Sequence, residues 1–230
     1  MKNERDKNMK RAVDLTEISD GRLYRSNDLV KLDTCGCEGC SACCHDMEET
    51  IVLDPYDIWR LQTKANIPFE QMMDGHARLT VIDGLIFPVL AMTGGQSETC
   101  TFLNEEGRCS IHDARPGICR LFPLGRYYEG GDFRYFLQKD ECNRAQAKVR
   151  IRKWIDTPEL PRYEDYLRSW HNFTEQLTHF LESAGDALQK AACIFLLKTF
   201  YSSPWDKEQG FYEQYEARLS TARAYFGFLN

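Results

Sequence analysis

The chain has 230 residues, a formal net charge of −6 and a hydrophobic fraction of 43%. That length allows one large domain or a compact core with an appended lobe, and the apolar fraction supports a core without crosslinks. The acidic balance speaks against a general nucleic-acid binder, which carries a basic surface, so no nucleic-acid partner is expected.

Residues 1–30 are polar and mixed in charge, and read as a frayed or loosely docked N-terminal arm. The stretch 1–14 has no apolar run of the signal-peptide kind, and no run of about 18 apolar residues occurs anywhere, so nothing is expected to span a membrane. A cytoplasmic location follows as the expectation. Residues 31–49 form a loop rich in Gly and small residues, and 50–53 (Thr-Ile-Val-Leu) read as a short strand. Asp54 is a natural N-cap with Pro55 at the first helical position, opening a helix through 56–65, and a short helix is expected over 68–73.

Two β-prone runs, 78–82 and 85–92, flank Asp83-Gly84, a strong hairpin signal. Glu106-Gly107 marks a turn between Cys100 and Cys109. A second hairpin is expected where Tyr127-Tyr128 and the run 133–137 flank Glu129-Gly130-Gly131-Asp132. The basic run Arg150-Ile151-Arg152-Lys153 reads as a solvated helix or strand end.

From about Glu159 the pattern changes. Tyr163, Tyr166, Trp170, Phe173, Leu177 and Phe180 recur at steps of three and four, the period of an amphipathic helix, and the aromatic stripe is read as core. A second helix is expected over 186–201, ended by Ser203-Pro204, and a third over 206–226. The apolar stretch 191–197 reads as buried helix. The predicted organisation is a polar arm over 1–30, a cysteine-cluster core over 31–157 and a helical C-terminal lobe over 158–230. The fold class is α+β: small strands and cysteine-rich loops around a metal site, with the helical lobe at the C-terminal end.

The cysteines carry the chemistry. There are ten, and in a reduced compartment clustered cysteines are metal ligands or redox centres rather than disulfides. Cys35, Cys37, Cys40, Cys43 and Cys44 lie in one segment, and Cys100, Cys109, Cys119 and Cys142 in a second. Cys193 stands apart on the apolar face of a helix and reads as core. In Cys37-x-x-Cys40-x-x-Cys43-Cys44 the two-residue spacing lets paired sulfurs reach one metal at about 2.3 Å. Adjacent side chains tend to diverge, so the vicinal pair suggests either a spare thiol or ligands to neighbouring metal positions. The second segment holds isolated cysteines and three arginines, Arg115, Arg120 and Arg126, which could offset the charge of a thiolate site. His112 and His45 are candidate imidazole ligands, with packing the commoner role. Met47, Glu48 and Glu49 read as solvated.

Taken together, Cys-x-x-Cys-x-x-Cys-Cys, Cys100-Thr-Phe-Leu, Cys109-Ser-Ile-His, Arg115-Pro116 and Cys119-Arg-Leu-Phe-Pro resemble the zinc- or iron-chelating cysteine-cluster family (the YkgJ type, the CxxCxxCC domain). Asp57-Ile58 and Cys142 fit the same pattern. The resemblance implies eight metal ligands: Cys37, Cys40, Cys43, Cys44, Cys100, Cys109, Cys119 and Cys142. Cys35 precedes the pattern and is a possible extra.

The flagellin lysine N-methylases share the cysteine layout, which implies S-adenosylmethionine-dependent protein lysine methyltransferase activity as the alternative function. This chain departs from them at Arg115-Pro116 and Leu121-Phe122-Pro123, and it has no Gly-rich nucleotide turn. The second segment lacks the paired knuckle of structural zinc sites, and its isolated cysteines favour an iron–sulfur cluster, of the 4Fe–4S kind, over zinc. Two classes of function compete: a metal-dependent binding module, and an enzyme acting on a protein or peptide.

Overall fold

The computed structural model describes residues 14–32, 40–94, 97–141 and 147–228. In chain order the elements are α1 (Leu15–Ile18), β1 (Leu29–Leu32), α2 (Pro55–Thr63), α3 (Phe69–Gly75), β2 (Ala77–Ile82) and β3 (Leu85–Leu90). There follow α4 (Gly117–Leu121), β4 (Leu124–Glu129), β5 (Asp132–Leu137), β6 (Ala147–Arg150) and α5 (Ile151–Ile155). The C-terminal third is helical: α6 (Leu160–Leu181), α7 (Asp186–Leu196) and α8 (Phe211–Phe226). The fold is α+β, its described strands forming two-stranded antiparallel sheets. Among the described residues no helix is long and apolar enough to cross a membrane.

The chain divides into two compact units, each assembled from two separate stretches. The first combines Met1–Cys40 with Ile118–His179. Its centre is the β4–β5 hairpin, turned by Gly130 and Gly131, both at positive φ as a tight hairpin turn requires. The described part of the N-terminal arm runs beside this hairpin. Tyr24 and Tyr135 exchange backbone bonds of 2.8 and 2.9 Å, and Ser19 bridges Gln138, so 14–30 is docked by main chain. Residues 1–13 lie outside the described residues. β1 pairs with β6, Leu29 opposite Arg150 and Leu32 opposite Ala147.

The basic run falls where β6 ends and α5 begins: Arg150 and Arg152 reach Asn27, while Ile151 is buried. Along α6 the stripe Tyr163, Tyr166, Trp170, Phe173 and Leu177 is buried, as its period predicts. The Tyr135 hydroxyl donates to Glu164 of α6 at 2.9 Å, joining helix to hairpin.

The second unit combines Ser41–Gly117 with Phe180–Asn230. α2 opens with a capping box in which the Asp54 side chain accepts from the Asp57 amide and the Asp57 side chain from the Asp54 amide. β2 and β3 turn through Asp83 and Gly84, both at positive φ. The strand expected over 50–53 is reduced to a single bridge, Val52 to Val89, flanked by Leu53 N–H to Pro88 and Leu90 N–H to Ile51. α7 continues as a π-helical stretch, Leu197–Ser202, before Pro204.

Only one side of the apolar stretch 191–197 is buried: Ala192, Cys193 and Leu196 face inward while Ile194 is 66% exposed. α8 begins at Phe211 rather than 206, because Asp206 caps a turn of its own. Its carboxylate accepts from the Glu208 amide, and the Gln214 side chain bonds its backbone on both sides. Tyr56 of α2 meets Phe211 edge-on at 4.9 Å, and Phe211 stacks on Tyr215. Phe180, at the end of the α6 stripe, is partly exposed beside Phe226 and Phe228.

Candidate metal centre

Short backbone pairings within the second unit bring together cysteines that are distant in sequence. Ser41 opens a 3₁₀ turn, Ala42–Cys44, closed by Cys44 N–H to Ser41 at 2.8 Å. The chain then extends, and Cys44 accepts from the Cys100 amide at 2.8 Å, His45 bridges Thr99, and the Asp46 amide donates to Glu98 at 2.9 Å. Cys100 also bridges Met92 on its other side. The chain folds back through Gly107, at φ +69°, so that Leu103 bridges Cys109. The Asn104 carboxamide accepts the Arg108 amide at 2.8 Å and closes that turn.

The result is one group of four thiols: Cys43, Cys44, Cys100 and Cys109. The Cys43 and Cys44 side chains hydrogen-bond to each other. In extended chain adjacent side chains point to opposite sides; the 3₁₀ turn removes that divergence and lets the sulfurs meet. This contact, with the Arg115 guanidinium, lowers the Cys43 thiol below the ordinary range against the effect of burial. The same contact raises Cys44, and burial and the charges of Cys43, Cys100 and Cys109 push it the same way.

Cys100 is raised by burial first, then by Cys109 and Cys43, with the Phe102 amide opposing through a hydrogen bond to the sulfur. Cys109 is raised by burial, with the Ile111 amide and Arg115 opposing. Cys44, Cys100 and Cys109 are thus penalised for ionising near their neighbours while Cys43 is favoured, and amides and a guanidinium are set to stabilise negative sulfur.

The donor set fits a thiophilic metal, since soft sulfur ligands select zinc or iron–sulfur centres. Among the described residues no three His, Cys, Asp or Glu side chains stand close enough together to hold a metal ion as placed, and no described cysteine is in a disulfide. Cys40 and Cys119 belong to the first unit, both half-buried, Cys119 on α4. Cys37, Cys142 and Cys35 lie outside the described residues. Cys193 is core, as expected: it is buried on α7 with its Sγ 3.5 Å from the Gly84 carbonyl.

Of the three arginines, Arg115 acts on the thiols of the second unit. Arg120 and Arg126 belong to the first unit, where both lie over the Tyr163 ring, at 5.3 and 5.9 Å, and Arg120 also bonds Thr157. His112 is half exposed, 3.7 Å from Asp113. His45 lies 3.3 Å from the Ser41 hydroxyl. Glu48 and Glu49 are exposed, and with Asp46, Glu98 and Arg78 they line an open pocket of about 330 Å³ whose floor includes Ala91.

Two residues of α2 join the site from a distance. The buried Asp57 carboxylate accepts from the Gly117 amide at 2.7 Å, and the buried Arg60 guanidinium donates to the Asp113 carbonyl. The sequence marks Asp57 only through the family pattern. Arg60 has no local signal, because its partner is remote in the chain.

Residues 36–147 match the family model CxxCxxCC, described as a putative zinc- or iron-chelating domain. The match spans just under half of the chain and contains every cysteine of the thiol group. No curated protein and no solved structure gives a significant match.

Proposed function

We propose that the chain holds an iron–sulfur centre, of the 4Fe–4S type, on Cys43, Cys44, Cys100 and Cys109, with Cys37, Cys40, Cys119 and Cys142 as the further ligand candidates. The observation that carries this reading is the main-chain pairing of Cys44 with Cys100 and of Leu103 with Cys109, which gathers four thiols from two chain segments, with Arg115 acting on Cys43 and Cys109. A single zinc ion is commonly held by paired Cys-x-x-Cys knuckles, whereas isolated cysteines on separate loops suit a polynuclear centre with spaced ligand positions. Eight candidate thiols also exceed what one tetrahedral ion takes. Bound there, such a centre supplies redox chemistry or an iron site.

The protein's own groups do the rest. The Phe102 and Ile111 amides donate to sulfur, Arg115 offsets negative charge, and burial limits access of water. The partner proposed is a protein or peptide in the cytoplasm. The open pocket walled by Asp46 and Glu98, each two residues from a thiol of the site, supports a reading in which something binds beside the metal.

The test is iron, zinc and acid-labile sulfide content, with a visible spectrum, on protein purified without oxygen. About four iron and four sulfide per chain are expected. Zinc without sulfide would replace the cluster with a structural zinc site.

A further inference from the structure

We infer that Asp57 and Arg60 are positioning residues for the thiol site, clamping the backbone on both sides of Arg115 so that its guanidinium stays beside Cys43 and Cys109. This rests on the metal-binding reading above and adds to it residues that carry no metal themselves.

The two side chains sit three positions apart on α2, and therefore on one face of the helix. Arg60 donates to the carbonyl of Asp113, two residues before Arg115; Asp57 accepts from the amide of Gly117, two residues after it. Both clamp residues are buried, Asp57 at 1% and Arg60 at 4% exposure, so water competes little for either bond. Asp57 is itself fixed, because its second carboxylate oxygen accepts from the Asp54 amide at 3.2 Å.

Between the clamped points, Pro116 restricts the backbone and the Arg115 Nε donates to the His112 carbonyl at 3.2 Å, which aims the guanidinium. The turn that carries the cation is therefore held from the helix on both sides of Arg115. A cation at a fixed place offsets the charge of several thiolates, and loss of an outer group that orients a metal site typically costs about 10- to 100-fold in metal affinity.

A purely structural Asp57 would lower stability without acting through Arg115, and a double-mutant cycle separates the two roles. Cobalt(II) serves as the probe metal. Its sulfur-to-metal charge-transfer band reports thiolate binding, and chelator competition reports affinity, for the intact chain and for Asp57→Asn, Arg115→Gln and the double variant.

Asp57→Asn is expected to weaken cobalt binding about 10- to 100-fold. The double variant is expected to bind within about twofold of Arg115→Gln alone, since the clamp has nothing left to position. Multiplying losses, or unchanged affinity in Asp57→Asn, would overturn the inference. If Asp57→Asn does not fold, Arg60→Lys in the same cycle gives the same two outcomes. Absence of the charge-transfer band in the unsubstituted chain would instead overturn the thiol-site reading itself.

Discussion

The amide of Cys100 donates to the carbonyl of Cys44 at 2.8 Å, so the two cysteine segments are joined by main chain as well as by whatever their sulfurs hold. The pairing continues through His45 and Thr99 to the Asp46–Glu98 bond. Backbone bonds of this kind do not depend on the thiols. In chelator-treated protein the amides of Cys100 and Asp46 are therefore expected to stay protected from hydrogen exchange. Exchange at the rate of an open chain would show that the metal, and not the ladder, orders this region.

Substitution of the thiols should separate ligands from core. Ser at Cys43, Cys44, Cys100 or Cys109 is expected to lower bound metal, read by elemental analysis. Cys193→Ala should leave metal content unchanged and cost about 1 kcal/mol of unfolding free energy, because it removes a buried side chain on α7. Loss of metal in the Cys193 variant would contradict that division.

Acid should loosen the first unit at Asp132. Hydrogen bonds from Arg168 and Arg134, with the Phe133 amide, hold its carboxyl well below the usual carboxylate range. Its contribution is thus complete above the ordinary aspartate value and is lost as pH falls through the lower folded value. The group is partly exposed, so the contribution is at most about 1 kcal/mol. Asp132→Asn is expected to lower stability at pH 7 and to flatten its acid dependence below about pH 4, measured by denaturant titration. An unchanged slope would exclude this carboxylate as a source of the acid dependence.

Gly125 lies opposite Phe136 in the β4–β5 register, and a Cβ placed there would stand 2.2 Å from the ring. Gly125→Ala is expected to displace the ring and cost about 1–3 kcal/mol, read as a lower melting temperature. A melting temperature equal to that of the unsubstituted chain would show that Phe136 swings aside freely.

Local sequence signals located many of the elements well. Asp54-Pro55 marks the start of α2, Asp83-Gly84 and Gly130-Gly131 mark both hairpins, and the aromatic period marks α6, because each depends on neighbouring residues. The third helix expected over 206–226 starts later, at Phe211, because the Asp206 carboxylate closes a turn on the Glu208 amide. The thiol group was legible as residue types and spacing. Its pairing was not, since the bonds from Cys100 to Cys44 and from Gly117 to Asp57 join remote segments with no local cue. Nor was the return of α7 and α8 to the unit formed by Ser41–Gly117.

The most direct test of the thiol site is X-ray absorption at the edge of the metal bound to anaerobically purified protein. A first shell dominated by sulfur at about 2.3 Å is expected, and its loss in a chain with Cys43, Cys100 and Cys109 replaced by Ala. A first shell of nitrogen and oxygen at about 2.0–2.2 Å, unchanged in that variant, would contradict the account.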